Sequence, residues 1–256
     1  MKIDIVMACG PKSEQYTPFV IDNMLSTATQ HELSFILPTH RCNLDFLKNH
    51  PNVKSIIQMP DDIKDSQHSA SHAHARSVNT SVKLIESELA MIMDYDIAFL
   101  TRGWDVWMVD MFNDQQVGIV GTEYLDSMRG ARKYLNYPTV ILSMIRTRLL
   151  TDHKIDFNPR HNPICISTKE DSLAYGRSIG ATVQPDSGYE LATKLRPAGV
   201  KAMTLKYIHE GGALPMGQNF CEGPVLANHM KSGSIQTQET IDTWKNLVSS
   251  YVKNNQ

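Results

Sequence analysis

The sequence contains few cysteines, modest amounts of glycine and proline, and no long hydrophobic run. Its 256 residues include 4 Cys, which lie far apart and form no C-x-x-C pair. This excludes a disulfide scaffold and argues against a structural zinc site. With 14 Gly and 12 Pro the chain is neither fibrous nor of low complexity. No run approaches the roughly 18 apolar residues that a membrane span requires, so no span is expected.

The chain also lacks a large excess of charge of either sign. Its 25 Lys and Arg against 27 Asp and Glu give a formal net charge of −2, so no general field would draw the protein to nucleic acid or to an anionic membrane. An anionic ligand must therefore be bound by local groups. Asp4 interrupts the first apolar run, where a signal peptide would need an unbroken one, and we expect a cytoplasmic protein.

Short apolar runs alternate with longer amphipathic segments in the first half. Strands are predicted at residues 3–7, 31–38, 53–59 and 89–93, and helices at 18–27 and 77–88. This alternation is typical of right-handed crossovers in an α/β fold with a mostly parallel sheet flanked by helices. Ligands of such sheets bind beyond the carboxyl ends of the strands.

The second half is less regular and shows no repeat or linker. Strands are predicted at 116–121 and 202–208 and helices at 188–196 and 237–252, while 140–150 fits a strand or a helix. We therefore expect a single domain that ends in a helical tail.

The stretch MIMDYDIAFLTRGWD is the most informative part of the sequence. An apolar strand ends here in two carboxylates, Asp94 and Asp96, one residue apart, which is a pattern that can hold a hard divalent cation. Such a cation can bridge the phosphates of a nucleotide diphosphate and offset the charge that develops when this group departs. Many D-x-D pairs are only solvated loop acids, so the surrounding sequence must decide between the two interpretations.

Residues 1 to about 120 resemble the family 2-like glycosyltransferases of the GT-A fold. The resemblance rests on the D-x-D motif after the fourth strand and on Gly103-Trp104-Asp105, which leads into a predicted helix. Ala75-Arg76 matches the start of the family's Ala-Arg-Asn pattern, although the amide is displaced to Asn79. The resemblance implies Mn²⁺ or Mg²⁺ on Asp94 and Asp96, and a nucleotide-diphosphate sugar, most simply a UDP-sugar, as donor.

The same resemblance implies further site residues and a division of the chain. His209, at the end of the late strand, would complete the metal site, and Trp104 would form a wall for the donor sugar. The chain divides into a nucleotide-sugar-binding half (1–105), an acceptor and catalytic half (106–215) and a helical tail (216–256). The resemblance also implies donor-binding roles for Arg76 and Tyr95, and by position for Cys9 and Gly10 after the first strand and Thr39 after the second. A turn without ligand contact explains Cys9, Gly10 and Thr39 equally well.

An inverting sugar transfer needs a carboxylate that takes the proton from the acceptor hydroxyl. Asp171, in a Glu-Asp pair, and Asp186, in an Asp-x-Gly-x-x-Leu pattern, both match acidic motifs of related transferases. Either residue could instead simply open a helix. Asp186 is preferred because Gly188 and a well-patterned helix follow it, and Asp171 remains the alternative.

A basic stretch with interleaved tyrosines lies in the acceptor half and fits either a solvated face or a surface that grips phosphates and bases. The acceptor hydroxyl could accordingly belong to a carbohydrate or to a hydroxylated DNA base. The stretch comprises Arg129, Arg132, Lys133, Tyr134, Tyr137, Arg146 and Arg148.

Three histidines, His68, His72 and His74, precede the motif strand. They fit a phosphate- or sugar-facing loop or a polar helix start, and His68 and His72, four residues apart, also fit a zinc pair that lacks an evident third ligand.

Two other functions are compatible with a sheet that carries a metal-binding acid. A sugar-nucleotide-forming nucleotidyltransferase needs a glycine-rich, basic loop after the first strand, which Cys9-Gly10-Pro11-Lys12 matches poorly. A non-catalytic module that binds a nucleotide sugar is the other alternative.

Overall fold

The structure is a computed structural model that describes residues 1–61, 69–123, 137–159, 163–175, 177–183, 186–208, 213–231 and 233–255. The described strands are β1 (Lys2–Ala8), β2 (Glu32–Thr39), β3 (Val53–Gln58), β4 (Leu89–Asp94), β5 (Ile97–Phe99), β6 (Val117–Glu123), β7 (Pro138–Arg146), β8 (Ile164–Cys165), β9 (Thr182–Val183), β10 (Lys201–Tyr207), β11 (Gln218–Glu222) and β12 (Val225–His229). The α-helices are α1 (Ser13–Thr27), α2 (Ser69–Ser81), α3 (Trp104–Asp110), α4 (Thr147–Asp152), α5 (Lys169–Tyr175), α6 (Tyr189–Leu195) and α7 (Gln238–Asn254). None of the helices in these ranges has both the length and the apolar character for crossing a bilayer.

The central sheet has the strand order β3-β2-β1-β4-β7-β6-β10. β1, β2, β3 and β4 are parallel, as are β6 and β10, and only β7 runs against its neighbours in this part of the sheet. The expected α/β class with a mostly parallel sheet is confirmed. Apolar clusters cover both faces, which explains why β1 and β4 are almost continuous hydrophobic runs.

Several element boundaries differ from those predicted, among them the start of α1, which is Ser13 and not residue 18. Residues 140–150, which fitted a strand or a helix, contain the end of β7 followed by α4. The helix predicted at 77–88 is α2, which starts at Ser69 and gives way to a 3₁₀ turn at Val82–Leu84. The shift places the histidine-rich segment on a helix that faces the carboxyl end of the sheet.

The predicted helical tail, 216–256, begins instead with the β11–β12 hairpin. β11 pairs with β10, and β12 then pairs antiparallel with the short strand β5, so the sheet ends in the order β10-β11-β12-β5. In this register His229 lies opposite Ile97. The hairpin therefore brings the end of β12 to the segment that follows the D-x-D motif.

Helix α7 holds this hairpin against the rest of the domain. Its buried face includes Ile241, Trp244 and Val248, as the apolar spacing predicted. The Trp244 ring packs near Tyr16 of α1, at 5.9 Å between centroids, and its Nε1–H donates to Asn228 Oδ1 at 2.7 Å. The helix thus fixes β12 through the hydrogen bond to Asn228.

A buried carboxylate joins the start of α3 to the loop before β2. Asp105 is fully buried and accepts hydrogen bonds from the backbone N–H groups of Thr29, Gln30 and His31, each at 2.9 Å. Burial alone would raise the pKa of Asp105, but these hydrogen bonds outweigh it and hold the pKa below its ordinary value. The carboxylate therefore stabilises the fold in its ionised form.

We predict that Asp105→Asn lowers the free energy of unfolding by about 2–4 kcal/mol, because an amide cannot accept all of these hydrogen bonds and buried donors lose their partner. Urea denaturation at neutral pH measures the loss. Since the folded-state pKa is lowered, the contribution of Asp105 is present above about pH 4 and is lost as the pH falls below that value, so the difference between variant and wild type should shrink in acid. Asp110→Asn, at an exposed position of the same helix, is the control. Equal stability of Asp105→Asn and wild type would contradict the assignment.

Candidate functional site

A cleft of about 420 Å³ opens at the carboxyl ends of β1 and β4. Ala8 pairs with Asp94 in the parallel register, so the residues that follow each strand meet at one edge of the sheet. The loops after β1 and β2, helix α2 and the D-x-D segment contribute to the walls, together with His229, Gly233 and Ser234. This is the edge at which open α/β sheets bind their ligands.

Asp94, Asp96 and His229 form a compact group in this cleft. One potential ligand atom from each lies within 4.8 Å of those from the other two. His229 Nε2 is 3.1 Å from Asp96 Oδ1 and 3.8 Å from Asp94 Oδ2. The other Asp96 oxygen accepts the Gly233 N–H at 3.1 Å, so Asp96 is held with one oxygen turned toward His229.

The electrostatics and the donor types of this group fit a divalent cation. Burial alone would lower the pKa of His229, but the charges of Asp96 and Asp94 and the hydrogen bond to Asp96 raise it overall. Two carboxylates beside one imidazole are ligands suited to Mn²⁺ or Mg²⁺. The buried His229 Nδ1 has no hydrogen-bond partner among the described residues. We conclude that Asp94, Asp96 and His229 could hold such a cation.

His229 is the functional candidate that the sequence analysis missed. The predicted ligand, His209, lies outside the described residues, as does His68. His229 nevertheless carries the same local signal as His209, because it ends a short strand and a glycine, Gly233, follows shortly after. Only the pairing of β12 with β5 shows that this histidine reaches the two acids.

Of the three donor-binding positions predicted after the first two strands, Cys9 and Gly10 line the cleft and Thr39 does not. The Cys9 thiol is buried and donates to Met7 O at 3.2 Å. Burial raises the pKa of this thiol, so Cys9 is no nucleophile. Thr39 is fully buried and its hydroxyl donates to Gln58 Oε1 at 3.0 Å. Its neighbours, His40 and Arg41, line the cleft in its place.

Tyr95, between the two acids, also lines the cleft. Its hydroxyl donates to Pro11 O at 3.3 Å, and its ring meets that of Tyr16 edge-on. The ring therefore joins the loop after β1 to the D-x-D segment and offers a flat surface within the cleft.

On α2, His74 and Ser77 line the cleft rather than Arg76. Asn79, displaced from the family pattern, has a structural role. Its Nδ2 donates to Asp156 Oδ1 at 2.8 Å and its Oδ1 accepts the Phe157 N–H at 3.1 Å. These bonds tie α2 to the segment after α4.

The expectation that Trp104 walls the donor sugar needs correction. Its side chain is fully buried, stacks on Phe99 at 3.9 Å between centroids, and donates from Nε1 to Thr27 Oγ1 at 3.1 Å. Trp104 has no surface left for a ligand and instead supports β5 from beneath.

The two candidate bases do not line this cleft. The Asp171 N–H donates to Thr168 Oγ1 at 3.0 Å in the first turn of α5, which is ordinary helix capping. Asp186 precedes Gly188, where an added Cβ would lie 2.2 Å from Val140 of β7. Because Leu142 of β7 pairs with Met93 of β4, the segment with Asp186 approaches the sheet end that carries the D-x-D motif.

The basic stretch offers little surface where the structure describes it. Arg196 lies over the buried Tyr137 ring at 5.3 Å from its centroid. Arg146 is buried and donates from Nε to Val117 O at 3.0 Å. Tyr137 and Arg146 therefore offer no exposed surface to a nucleic acid, and Arg148 is the exposed member of the stretch among the described residues. The members outside the described residues are Arg129, Arg132, Lys133 and Tyr134.

Comparisons with known proteins identify the fold. No family model and no curated protein sequence matches the chain. Among solved structures, a mannosyltransferase from Pyrobaculum calidifontis in complex with GDP-Man and Mn²⁺ matches with a TM-score of 0.51 and 14% identity, over 79% of this chain and 54% of that one. The chain has a GT-A-like fold.

Two further solved structures match less closely. TarS 1-349 from S. aureus in complex with UDP-GlcNAc gives a TM-score of 0.44 and 16% identity, over 73% of this chain and 55% of that one. The galactosyltransferase LgtC, in complex with donor and acceptor sugar analogs, gives 0.46 and 13%, over 78% and 72%. With TM-scores below 0.5 these two do not bear on the assignment. The chain spans about half the length of the mannosyltransferase and TarS chains.

We predict that Mn²⁺ raises the melting temperature of the wild type and leaves that of Asp94→Asn almost unchanged. A ligand at 100 times its Kd stabilises the folded state by about 2.7 kcal/mol, which amounts to a shift of several degrees for a chain of this size. Asp94 is the residue to change because it is only partly buried, whereas Asp96 also holds the Gly233 backbone. Differential scanning fluorimetry makes the measurement, with Asp22→Asn on an exposed position of α1 as control. An equal shift in wild type and Asp94→Asn would exclude this site as the place of binding.

Proposed function

We propose that the protein is a metal-dependent glycosyltransferase that moves a sugar from a nucleotide-diphosphate donor to a hydroxyl acceptor. The observation that carries this proposal is the group of Asp94, Asp96 and His229 in a cleft at the carboxyl end of a GT-A-like sheet. The mannosyltransferase of similar fold was determined with GDP-Man and Mn²⁺, which supports a nucleotide sugar as the class of donor.

The small net charge of the chain agrees with binding of the diphosphate through a local cation. A net charge of −2 provides no general field for a diphosphate. In this proposal Asp94, Asp96 and His229 would hold Mn²⁺ or Mg²⁺, and such a cation would supply positive charge beside the departing nucleotide diphosphate. The nucleoside lies toward the loops after β1 and β2, where Gly10 and Arg41 line the cleft.

The transfer is proposed to be an inverting displacement. The acceptor oxygen forms a bond to the anomeric carbon as the bond from that carbon to the phosphate oxygen breaks, and the electron pair leaves with the diphosphate. A carboxylate takes the hydroxyl proton. Asp186 is the first choice for this base because the contact of Gly188 with Val140 brings its segment to the correct end of the sheet, and Asp171 is the second.

The acceptor in this proposal is a carbohydrate hydroxyl. Tyr137 and Arg146 are buried, so among the described residues of the basic stretch Arg148 alone is exposed, which does not favour a DNA acceptor. A nucleotidyltransferase is disfavoured because the loop after β1 is a poor match to a glycine-rich, basic triphosphate loop, and its one cation, Lys12, already donates from Nζ to Gln236 O at 2.7 Å.

We predict release of the nucleotide diphosphate when the wild type is incubated with Mn²⁺ and a panel of UDP- and GDP-sugars. EDTA should abolish the release and excess Mn²⁺ should restore it. Asp94→Asn should reduce the rate by about 100-fold or more, since stabilisation of the leaving group is lost, while Asp110→Asn should be unaffected. Release is followed with a coupled assay for nucleoside diphosphate. Absence of release with every donor, or full activity in Asp94→Asn, would refute the proposal, and calorimetric binding without turnover would indicate a binding module.

For the base, we predict that Asp186→Asn lowers kcat by about 10²–10⁴-fold, the usual contribution of a general base. Asp171→Asn is the matched control and should have a small effect, because its helix start keeps the Thr168 cap. Both variants should bind Mn²⁺ as the wild type does, which separates proton transfer from metal binding. Loss of activity in Asp171→Asn alone would transfer the role to Asp171, and normal activity in both would refute the assignment of a base to either residue.

A further inference from the structure

His74 of α2 lies beside the two acids but is not one of the three proposed metal ligands, Asp94, Asp96 and His229. Its side chain lines the cleft and is 18% exposed, and its Nε2 is 3.3 Å from Asp94 Oδ1. Asp94 therefore lies between two imidazoles, with Oδ1 toward His74 and Oδ2 toward His229 at 3.8 Å.

Asp94 differs from Asp96 in how its carboxylate is held. Asp96 accepts the Gly233 N–H, so a backbone group fixes its orientation. Within the described part of the chain, the basic side chains that approach the Asp94 carboxylate within 4 Å are the two histidines. The Asp94 carboxylate is 27% exposed and accepts no backbone N–H of the described residues, so it can rotate unless a neighbouring side chain restrains it.

His74 can restrain the Asp94 carboxylate, because its helix is held by the core and its ring nitrogens are not used in other hydrogen bonds of the described residues. Its helix is anchored by Ala75 and Val78, which are fully buried in the core beneath α2. Both ring nitrogens of His74 are shielded from water, and neither completes a hydrogen bond with another described residue. Buried polar atoms normally find a partner, so the imidazole is poised to donate to Asp94 Oδ1 after a small adjustment.

We propose that His74 is a positioning residue that orients the Asp94 carboxylate, so that Oδ2 faces His229 and the cation. The inference rests on the metal site of the proposed function and adds an outer contact to it. Hydrogen bonds to ligating groups orient them, and loss of such a bond typically weakens metal binding by about 10–100-fold.

Titration of Mn²⁺ followed by electron paramagnetic resonance of the free ion tests the proposal without a donor substrate. His74→Ala should raise the Kd for Mn²⁺ by about 10–100-fold. His74→Gln, whose amide N–H can reach Oδ1, should recover most of the affinity. His72→Ala, two residues away on the same helix and outside the cleft lining, is the matched control and should bind as the wild type does.

A kinetic readout separates positioning from a general loss of structure. In His74→Ala the Mn²⁺ concentration for half-maximal activity should rise, while kcat at saturating Mn²⁺ stays near that of the wild type. Unchanged Mn²⁺ affinity in a folded His74→Ala protein would overturn the inference and leave the proposed function intact. A wild type that binds no Mn²⁺ would overturn both. If His74→Ala does not fold, His74→Leu fills the space without a donor and gives the same comparison.

Discussion

The antiparallel pairing of β12 with β5 is the interaction on which the site depends. It places His229 opposite Ile97, and the Met230 N–H donates to Asp96 O at 2.9 Å. The Gly233 N–H then reaches Asp96 Oδ2 across 137 positions of sequence. Without this pairing the D-x-D motif would be a pair of carboxylates at the end of a strand, a common arrangement on protein surfaces.

The register of this pairing is fixed by buried amides. Asn23 of α1 closes the free edge of β5, because its side chain accepts the Phe99 N–H at 2.8 Å and donates to Phe99 O at 3.0 Å. On the other side, Asn228 bonds Trp244, Asn219 and Met216 O. A slip of one residue would turn His229 to the other face of the sheet and would also break these bonds, so burial of the amides specifies the site geometry.

The sequence predicted the parts of the structure that local patterns determine. The parallel strands are continuous apolar runs, and Asp94 and Asp96 are adjacent to one of them, so the fold class and the acids could be inferred. The β11–β12 hairpin could not, because its strands are five residues each and mix polar with apolar positions. The partner of β12 is also far away in sequence. Trp104 was predicted to contact the donor because it lies next to the motif. Its ring stacks on Phe99 and is buried, which local sequence does not reveal.

The two carboxylates of the site destabilise the folded state, because they repel each other and are partly buried. Two carboxylates lie near each other in a partly buried position, which folding alone would disfavour. A buried imidazole with a raised pKa and one backbone N–H offset part of that cost, and the His74 ring adds unused hydrogen-bonding capacity. The groups lie on or beside β4, β12 and α2, elements placed by the core and not by long loops. In the proposed function, a cation held by this incompletely satisfied cluster would offset the remaining cost and would let the cleft bind an anionic donor in a chain with almost no net charge.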